Sequence, residues 1–344
     1  MLKFFWLDII VLIIGLCVAF YRGIDTGGSG IAFVVSALII ATLEISLSFD
    51  NAVINATKLK TMSPVWRKRF LTWGIAIAVF GMRFVFPIVI VAIFSGISCM
   101  GVVNLALGDP DQYAYYLHEA HIGISSFGGT FLMMLFCEFM FANNKNLHWI
   151  APAEKLLKKI GKIKFAPTLV STIAIVAIQP FLKENQHTVS LASGFAGIII
   201  HLLIHGISEK LESMAERKNA FALKHAGLAS FIYLELIDAS FSLDGVLGAF
   251  ALTKDVIVIT IGLSVGAFFV RSITLLLVEK KTLEKLIFLT HGAYWAIGSL
   301  ATIMIISTIQ EIPEVVTGTL GMILILASLG SSVFYNKKEA KKQK

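Results

Sequence analysis

Apolar residues run along this chain in long blocks that short polar segments separate. About 20 apolar residues in a helix cross the hydrocarbon core of a bilayer, and ten blocks are close to that length. The predicted helices cover residues 4–20, 31–57, 70–97, 123–142, 167–182, 189–206, 225–253, 256–278, 286–309 and 314–335. The pattern predicts an all-α, polytopic membrane protein with about ten transmembrane helices.

The composition agrees with this class and excludes others. The chain has 344 residues, of which 57% are hydrophobic and 15% charged, whereas a soluble domain has about 25% charged residues. We find no P-loop, zinc-protease motif or nucleophile elbow, so we do not expect an enzyme, and an intramembrane enzyme remains an alternative. Three isolated cysteines indicate neither a disulfide framework nor a thiolate metal site.

The basic residues predict the orientation of the helices. If the N-terminus lies inside the cell, 24 of the 29 Lys and Arg residues lie on the cytoplasmic side, as the positive-inside rule requires. We therefore expect a multi-pass protein of the inner (plasma) membrane with both termini in the cytoplasm. Because the positive charge is spread over several short segments, we expect membrane lipids rather than nucleic acid as partners. The first block contains Asp8 and no cleavage site follows it, so we predict a retained helix.

A polar motif occurs twice, 194 residues apart. Residues 43–50 read LEISLSFD and residues 237–244 read IDASFSLD. A helix with one arginine follows each copy, and that arginine lies nine residues after a glycine. The matched pairs are Glu44 and Asp238, Ser46 and Ser240, Ser48 and Ser242, Asp50 and Asp244, Asn51 and Gly245, Gly74 and Gly262, and Arg83 and Arg271.

The repeated motif predicts the organisation of the chain. Five predicted helices separate the starts of the two copies, and because five is odd the copies run in opposite directions, as in many secondary transporters. We predict a single integral membrane domain, 1–344, built on two inverted three-helix repeats. Its parts are repeat A (31–142, helices 2–4), inserted helices 5–6 with cytoplasmic loops (143–224), repeat B (225–309, helices 7–9), and a last helix with a basic cytoplasmic tail (310–344).

The paired motif resembles that of the TerC membrane proteins, a family named for tellurium resistance. The resemblance covers predicted helices 2–4 and 7–9. It implies export of metal ions, manganese especially, within a wider superfamily of small-solute exporters. The chain departs from the family pattern in the added helices around 167–206 and in a long predicted outer loop at 98–122, which leave the identity of the substrate more open than the fold.

Four carboxylates in the bilayer need compensation, since each costs at least about 2.5–3.5 kcal/mol. Two arginines can neutralise two of them, and a divalent cation would balance the remaining charge. Carboxylate and amide oxygens suit manganese, magnesium or calcium. We therefore predict a transported divalent cation, manganese first, with no prosthetic group. The predicted metal ligands are Glu44, Asp50, Asn51, Asp238 and Asp244, and the supporting residues are Ser48, Ser242, Arg83, Arg271 and Glu235.

Two features of the motif leave alternatives open. Glu44, Ser48, Asn51 and Asn55 share one face of an ideal helix, but Asp50 lies about 120° from Glu44. Convergence on one ion would require unwinding near Asp50–Asn51 and near Asp244–Gly245; otherwise these aspartates face Arg or Ser partners. The acids could instead form a structural network, Glu44 with Arg83 and Asp238 with Arg271 or crossed, in a non-transporting scaffold or metal-resistance accessory protein.

Other polar residues carry less weight. Glu235 lies one turn before Asp238 and is either a proton carrier or a solvated residue, and Glu138 is expected to be solvated. The i,i+4 pair His201 and His205 could hold a metal, but polar packing is favoured. His291 is a weak candidate for a proton relay. The sequence leaves a homo-oligomer open.

Overall fold

The computed structural model describes an all-helical chain. It covers the backbone of residues 2–74, 76–142, 145, 147–216, 220–279, 285–310 and 312–342. Side chains fall outside the described set at 2–3, 61, 71, 94, 212, 215–216, 220–226, 241–244, 247, 251, 314–315, 340 and 342. Within the described ranges there are only helices and short connections, and no strand.

Fourteen α-helices follow one another along the described part of the chain. They are α1 (Leu2–Asp25), α2 (Gly30–Leu47), α3 (Phe49–Thr61), α4 (Pro64–Arg69), α5 (Phe86–Ser95), α6 (Cys99–Gly108), α7 (Pro110–Phe141), α8 (Ala151–Ile160), α9 (Ala166–Ala177), α10 (Glu184–Glu216), α11 (Ala220–Leu252), α12 (Val256–Glu279), α13 (Leu289–Ser307) and α14 (Glu314–Lys342). Two π-helical segments, Phe70–Gly74 and Ile77–Val85, join α4 to α5, and a 3₁₀ turn, Gln179–Phe181, follows α9.

Helices α7 and α13 form the centre of the bundle. α7 packs against α10 and α13, while α12 packs against α2 and α1. A Cβ on Gly129 of α7 would lie only 2.7 Å from Ile305 of α13, so glycine allows the close approach of these two helices. The largest core cluster combines residues of both helices, including Phe131, Met140, Ile297 and Ala301.

The outer helices expose apolar side chains. On α1, Trp6, Ile14 and Tyr21 are more than half exposed, and only a small part of this helix is buried within the bundle. Large exposed apolar patches are rare on soluble monomers. A lipid environment accounts for this surface.

Seven described helices are long and apolar enough to cross a membrane. They are Phe4–Asp25, Gly30–Leu47, Pro110–Phe141, Glu184–Leu211, Val256–Glu279, Leu289–Ser307 and Val316–Glu339, and the bent pair Pro64–Gly74 with Ile77–Ile93 would add an eighth. The predicted helix at 167–182 is only the short apolar segment Ala166–Phe181. The chain is therefore an all-helical membrane protein with about seven candidate spans.

The structure corrects three expectations about local structure. The predicted outer loop at 98–122 is helical, since α6 and the start of α7 fill it. The predicted single helix at 31–57 is interrupted at Ser48, which caps α2 with φ −100° and ψ 11°. The unwinding at Asp244–Gly245 that convergence of both acids on one ion would require is absent, because α11 runs unbroken from Ala220 to Leu252.

Candidate functional site

Glu44 is the acidic residue at the centre of the first motif, one turn before the end of α2. It is 2% exposed and lies against two glycines of other helices. A Cβ on Gly266 of α12 would come within 2.5 Å of the Glu44 side chain, and a Cβ on Gly245 of α11 within 2.7 Å of its Oε2 atom. The two glycines thus provide the space for this carboxylate between α11 and α12.

Arg83 neutralises Glu44. Its guanidinium Nη2 donates to Glu44 Oε1, and both side chains are almost fully buried. Ser48 Oγ donates to the same carboxylate oxygen at 2.9 Å. Arg83 belongs to the π-helical segment Ile77–Val85, and its Nη1 also donates to the Ala78 carbonyl. Such π-helical turns occur frequently at functional sites.

Asn51 and Asp238 connect the two motifs. The Asn51 side-chain amide donates to Asp238 Oδ1, which joins α3 to α11. Next to this contact lies a cavity of about 40 Å³, large enough for a water molecule or an ion. The polar side chains that line it are those of Asn55, Arg83, Asp238, Arg271 and Thr274.

Several buried oxygens around this cavity lack a hydrogen-bond partner within the described part of the chain. They are Oδ1 of Asn51, Oδ1 of Asn55 and both carboxylate oxygens of Glu235. Glu235 approaches the cavity at Gly74, where a Cβ would lie 2.8 Å from its Oε1 atom. Because buried polar atoms are normally paired, this unused capacity requires an explanation.

Asp50 lies apart from these residues. It is buried, and its Oδ1 accepts a 2.9 Å hydrogen bond from the Asn51 backbone N–H. It lines a second cavity, of about 20 Å³, together with Ser46 and with Thr317 and Gly318 of α14. The structure therefore brings together Glu44, Asn51, Asp238, Arg83 and Ser48, but not Asp50.

The second motif is described less completely. The side chains of Ser242 and Asp244 lie outside the described residues. Ser240 Oγ donates to the Leu236 carbonyl within the helix at 2.9 Å. In the described chain, no three His, Cys, Asp or Glu side chains are grouped closely enough to hold a metal ion. Any cation at the 40 Å³ cavity would therefore need amide oxygens or water among its ligands.

Arg271 faces an acid that the motif did not include. It interacts electrostatically with Asp8 of α1, and Asp8 also accepts a 3.0 Å hydrogen bond from Ser272. The sequence offered one signal for this contact, a carboxylate within the first apolar block. Arg83 lies beside Glu44 and Asp238, Arg271 beside Asp8, and Glu235 beside Asp238. These four acids and two arginines would carry two excess negative charges if all were ionised.

A second polar cluster fastens α8 to the bundle. Glu154 is 1% exposed and contacts His291 Nδ1 at 3.0 Å, while Trp295 Nε1 donates to it at 3.2 Å. Burial alone would raise the pKa of Glu154, but the hydrogen bonds and charge of His291, with bonds from Trp295 and the Ile150 N–H, lower this pKa to about 2. Trp149, two residues before the start of α8, donates from Nε1 to Ser331 Oγ of α14 at 3.0 Å. His291 is thus a partner of α8.

The fold and the buried charges define a class, an all-helical membrane protein with a charged network between its helices. Residues 49–339 match the model of the DUF475 family, described as proteins of unknown function, and the chain belongs to that family. No curated protein matches the chain. No solved structure matches it either.

Proposed function

We propose that this protein is a membrane transporter that exports a divalent metal cation, manganese first, through the acidic network between α2, α3, α11 and α12. The observation that carries the proposal is a set of unpartnered buried oxygens at or beside the 40 Å³ cavity. Asn55 lines the cavity, Asn51 contacts its lining residue Asp238, and Glu235 lies beside its lining residue Gly74. Oxygen donors of this kind suit a hard cation. Two excess negative charges in the described network suit a divalent one.

The motif resemblance to the TerC proteins supports the same function, and it suggests two inverted repeats. In this proposal α11, the segment Ala166–Phe181 and the bent pair also cross the bilayer. They raise the number of spans to about ten. An even number of spans leaves both termini on one side, and the distribution of basic residues favours the cytoplasmic side of a plasma membrane.

A non-transporting scaffold is the second candidate, and a specific observation favours it. Glu44 is neutralised by Arg83, and Asp238 is hydrogen-bonded by Asn51, so part of the network is already satisfied without a cation. In a scaffold the network would hold the helices together and nothing would be transported.

Uptake of manganese into proteoliposomes under a pH gradient tests the proposal. We expect Asp238→Asn to abolish uptake and to leave a folded protein, and, from the repeated motif, Asp244→Asn to do the same. Asp111→Asn is the control, because Asp111 is exposed and pairs with Lys254 at the end of the bundle. If folded wild-type protein moves neither manganese, magnesium nor calcium, the scaffold is the better account.

A further inference from the structure

A third polar cluster lies away from the 40 Å³ cavity, between α7 and α10. The Glu138 carboxylate lies between two histidines of α10, with Oε1 3.7 Å from His201 Nδ1 and Oε2 3.4 Å from His205 Nδ1. The rings of the two histidines are stacked, with centroids 5.9 Å apart. The i,i+4 spacing places both rings on one face of α10, opposite the acid of α7.

His201 is the unusual member of this cluster. It is 0% exposed, and neither ring nitrogen has a hydrogen-bond partner among the described residues. Phe131 and Tyr233 pack against its ring at centroid distances of 5.0 and 6.0 Å. A buried imidazole without a hydrogen bond loses free energy that a purely structural residue would not lose, since an apolar side chain would fill the same space.

The cluster reaches the surface of the bundle at one end. His205 is 36% exposed and Glu209, one turn further along α10, is 79% exposed, with their side chains 4.0 Å apart. These two polar side chains connect Glu138 and His201 to the surface of the bundle, and the proposal below takes them as the route for protons.

Five more titratable groups face the cluster, and one of them is Cys137, next to Glu138 in α7. Lys58 of α3 and Glu209 of α10 interact electrostatically with Glu138, and so do Tyr233 of α11 and Tyr294 of α13. Glu138 with two neutral histidines carries one negative charge, which attracts Lys58. One added proton, shared between the carboxylate and a histidine, makes the three residues neutral and weakens their attraction for Lys58.

We propose that Glu138, His201 and His205 form a proton-binding site, and that its protonation acts on α3 through Lys58. Lys58 and Asn51 are seven residues apart and so lie on the same side of α3. Asn51 holds Asp238 at the other site. A proton at Glu138 weakens the attraction between Glu138 and Lys58 of α3, and a cation near Asp238 acts on Asn51 of the same helix. Binding at one site therefore changes the affinity at the other.

The proton-binding part is independent of transport, whereas its coupling to the cation rests on the proposed function. Infrared difference spectra between acidic and alkaline buffer test the first part directly. We expect protonated-carboxyl absorption in the wild type on acidification, to which the other buried carboxyl groups also contribute, and a loss of one carboxyl group's share of it in Glu138→Gln. The control Glu119→Gln removes an exposed carboxylate of the same helix and should keep that share.

Proton release on manganese addition, in weakly buffered detergent solution, tests the coupling. Linkage predicts that the wild type releases about one more proton per bound manganese than Glu138→Gln does. If Glu138→Gln does not fold, His201→Gln is the second variant. It should shift the carboxyl band of Glu138. Size-exclusion profiles and melting temperatures identify variants that remain folded.

The outcomes separate the two proposals. Absence of protonated-carboxyl absorption at every pH, or an unchanged intensity in folded Glu138→Gln, overturns the proton site. Equal proton release in the wild type and Glu138→Gln overturns the coupling alone. If no variant binds manganese, the proposed function fails while the infrared result still decides the proton site. Stoichiometric zinc binding that Glu138→Gln abolishes would make this a metal site and overturn the proposal.

Discussion

The two motif regions have similar sequences but different backbones. In the first region α2 ends at Leu47, α3 begins at Phe49, and the arginine lies in a π-helical segment. In the second region α11 continues without a break past Asp238 and Gly245, and Arg271 lies in the regular helix α12. A shared pattern of acids and serines therefore does not determine helix continuity.

The difference follows from the partners of each motif. Glu44 reaches an arginine on the π-helical segment and accepts from Ser48 at the helix end, so its contacts hold an irregular backbone in place. Arg271 instead interacts with Asp8 of α1. In the first region the buried charges are therefore paired through contacts to an irregular backbone. In the second region the pair Arg271 and Asp8 lies between regular helices.

Removal of Arg83 should have the largest effect. Arg83→Gln leaves Glu44 buried and without its counter-ion, which costs about 3–5 kcal/mol of folding free energy. Arg271→Gln should lower the stability less, because Arg271 is half-buried. Thermal unfolding in detergent measures both. The double variant Glu44→Gln/Arg83→Gln should recover much of the loss, and equal losses in the two arginine variants would contradict the comparison.

Filling the space beside Glu44 should have the next largest effect. In Gly266→Ala the new Cβ would lie 2.5 Å from the Glu44 side chain, and overpacking of this kind costs about 1–3 kcal/mol. Gly330→Ala is the matched control, since nothing lies within 4 Å of its added Cβ. Urea unfolding compares the two. A Gly266→Ala protein as stable as Gly330→Ala would show that Glu44 is not confined as described.

The contact between Glu154 of α8 and His291 of α13 predicts a pH dependence of the stability. Because the pKa of Glu154 is lowered to about 2, the carboxylate stabilises the fold fully above its ordinary pKa of about 4.3. That contribution, about 2 kcal/mol for hydrogen bonds to a charged group, is lost as the pH falls towards 2. Glu154→Gln should be less stable at neutral pH and should lack this part of the acid dependence. Parallel pH dependences of the two melting temperatures would argue against it.

Ser48 at the helix break should show the smallest effect. Ser48→Ala removes one hydrogen bond to Glu44 and should lower stability by about 1 kcal/mol. Ser240→Ala, the control in the unbroken helix, removes only a bond to its own helix carbonyl and should stay within about 0.5 kcal/mol. The two melting temperatures decide, and a larger loss for Ser240→Ala would reverse the comparison.

The sequence predicts the helical blocks well because the length of an apolar run determines whether it can cross a bilayer. It does not predict the break at Ser48 or the π-helical turns at Arg83, since these depend on contacts between distant segments such as Glu44 with Arg83. The prediction of a loop over the start of α7 was wrong. Asp109 caps this helix by accepting a 3.1 Å hydrogen bond from the Gln112 N–H, and Pro110 occupies its first position. These are signals for a helix start that a search for apolar runs does not detect.

The site is predicted in part. The repeat of acids and arginines at a fixed offset singled out Glu44 and Arg83. Their pairing, which the sequence offered as part of the alternative structural network, is present in the structure. Helical spacing predicted that Asn55 shares a face with Glu44. It did not predict that Asn55 lines the cavity beside Asp238, as it does in the structure. The pairing of Asp8 with Ser272 and the position of Glu138 between two histidines required the packing of α1 on α12 and of α7 on α10, which no local pattern encodes.

The attachment of α8 has a consequence for biogenesis. Glu154 and His291 are 137 residues apart in the chain, and Trp149 and Ser331 are 182 apart. During synthesis α8 therefore emerges long before either partner exists, and its carboxylate stays hydrated until α13 has been inserted. A chain truncated before His291 would therefore present an undocked charged helix to cellular quality control.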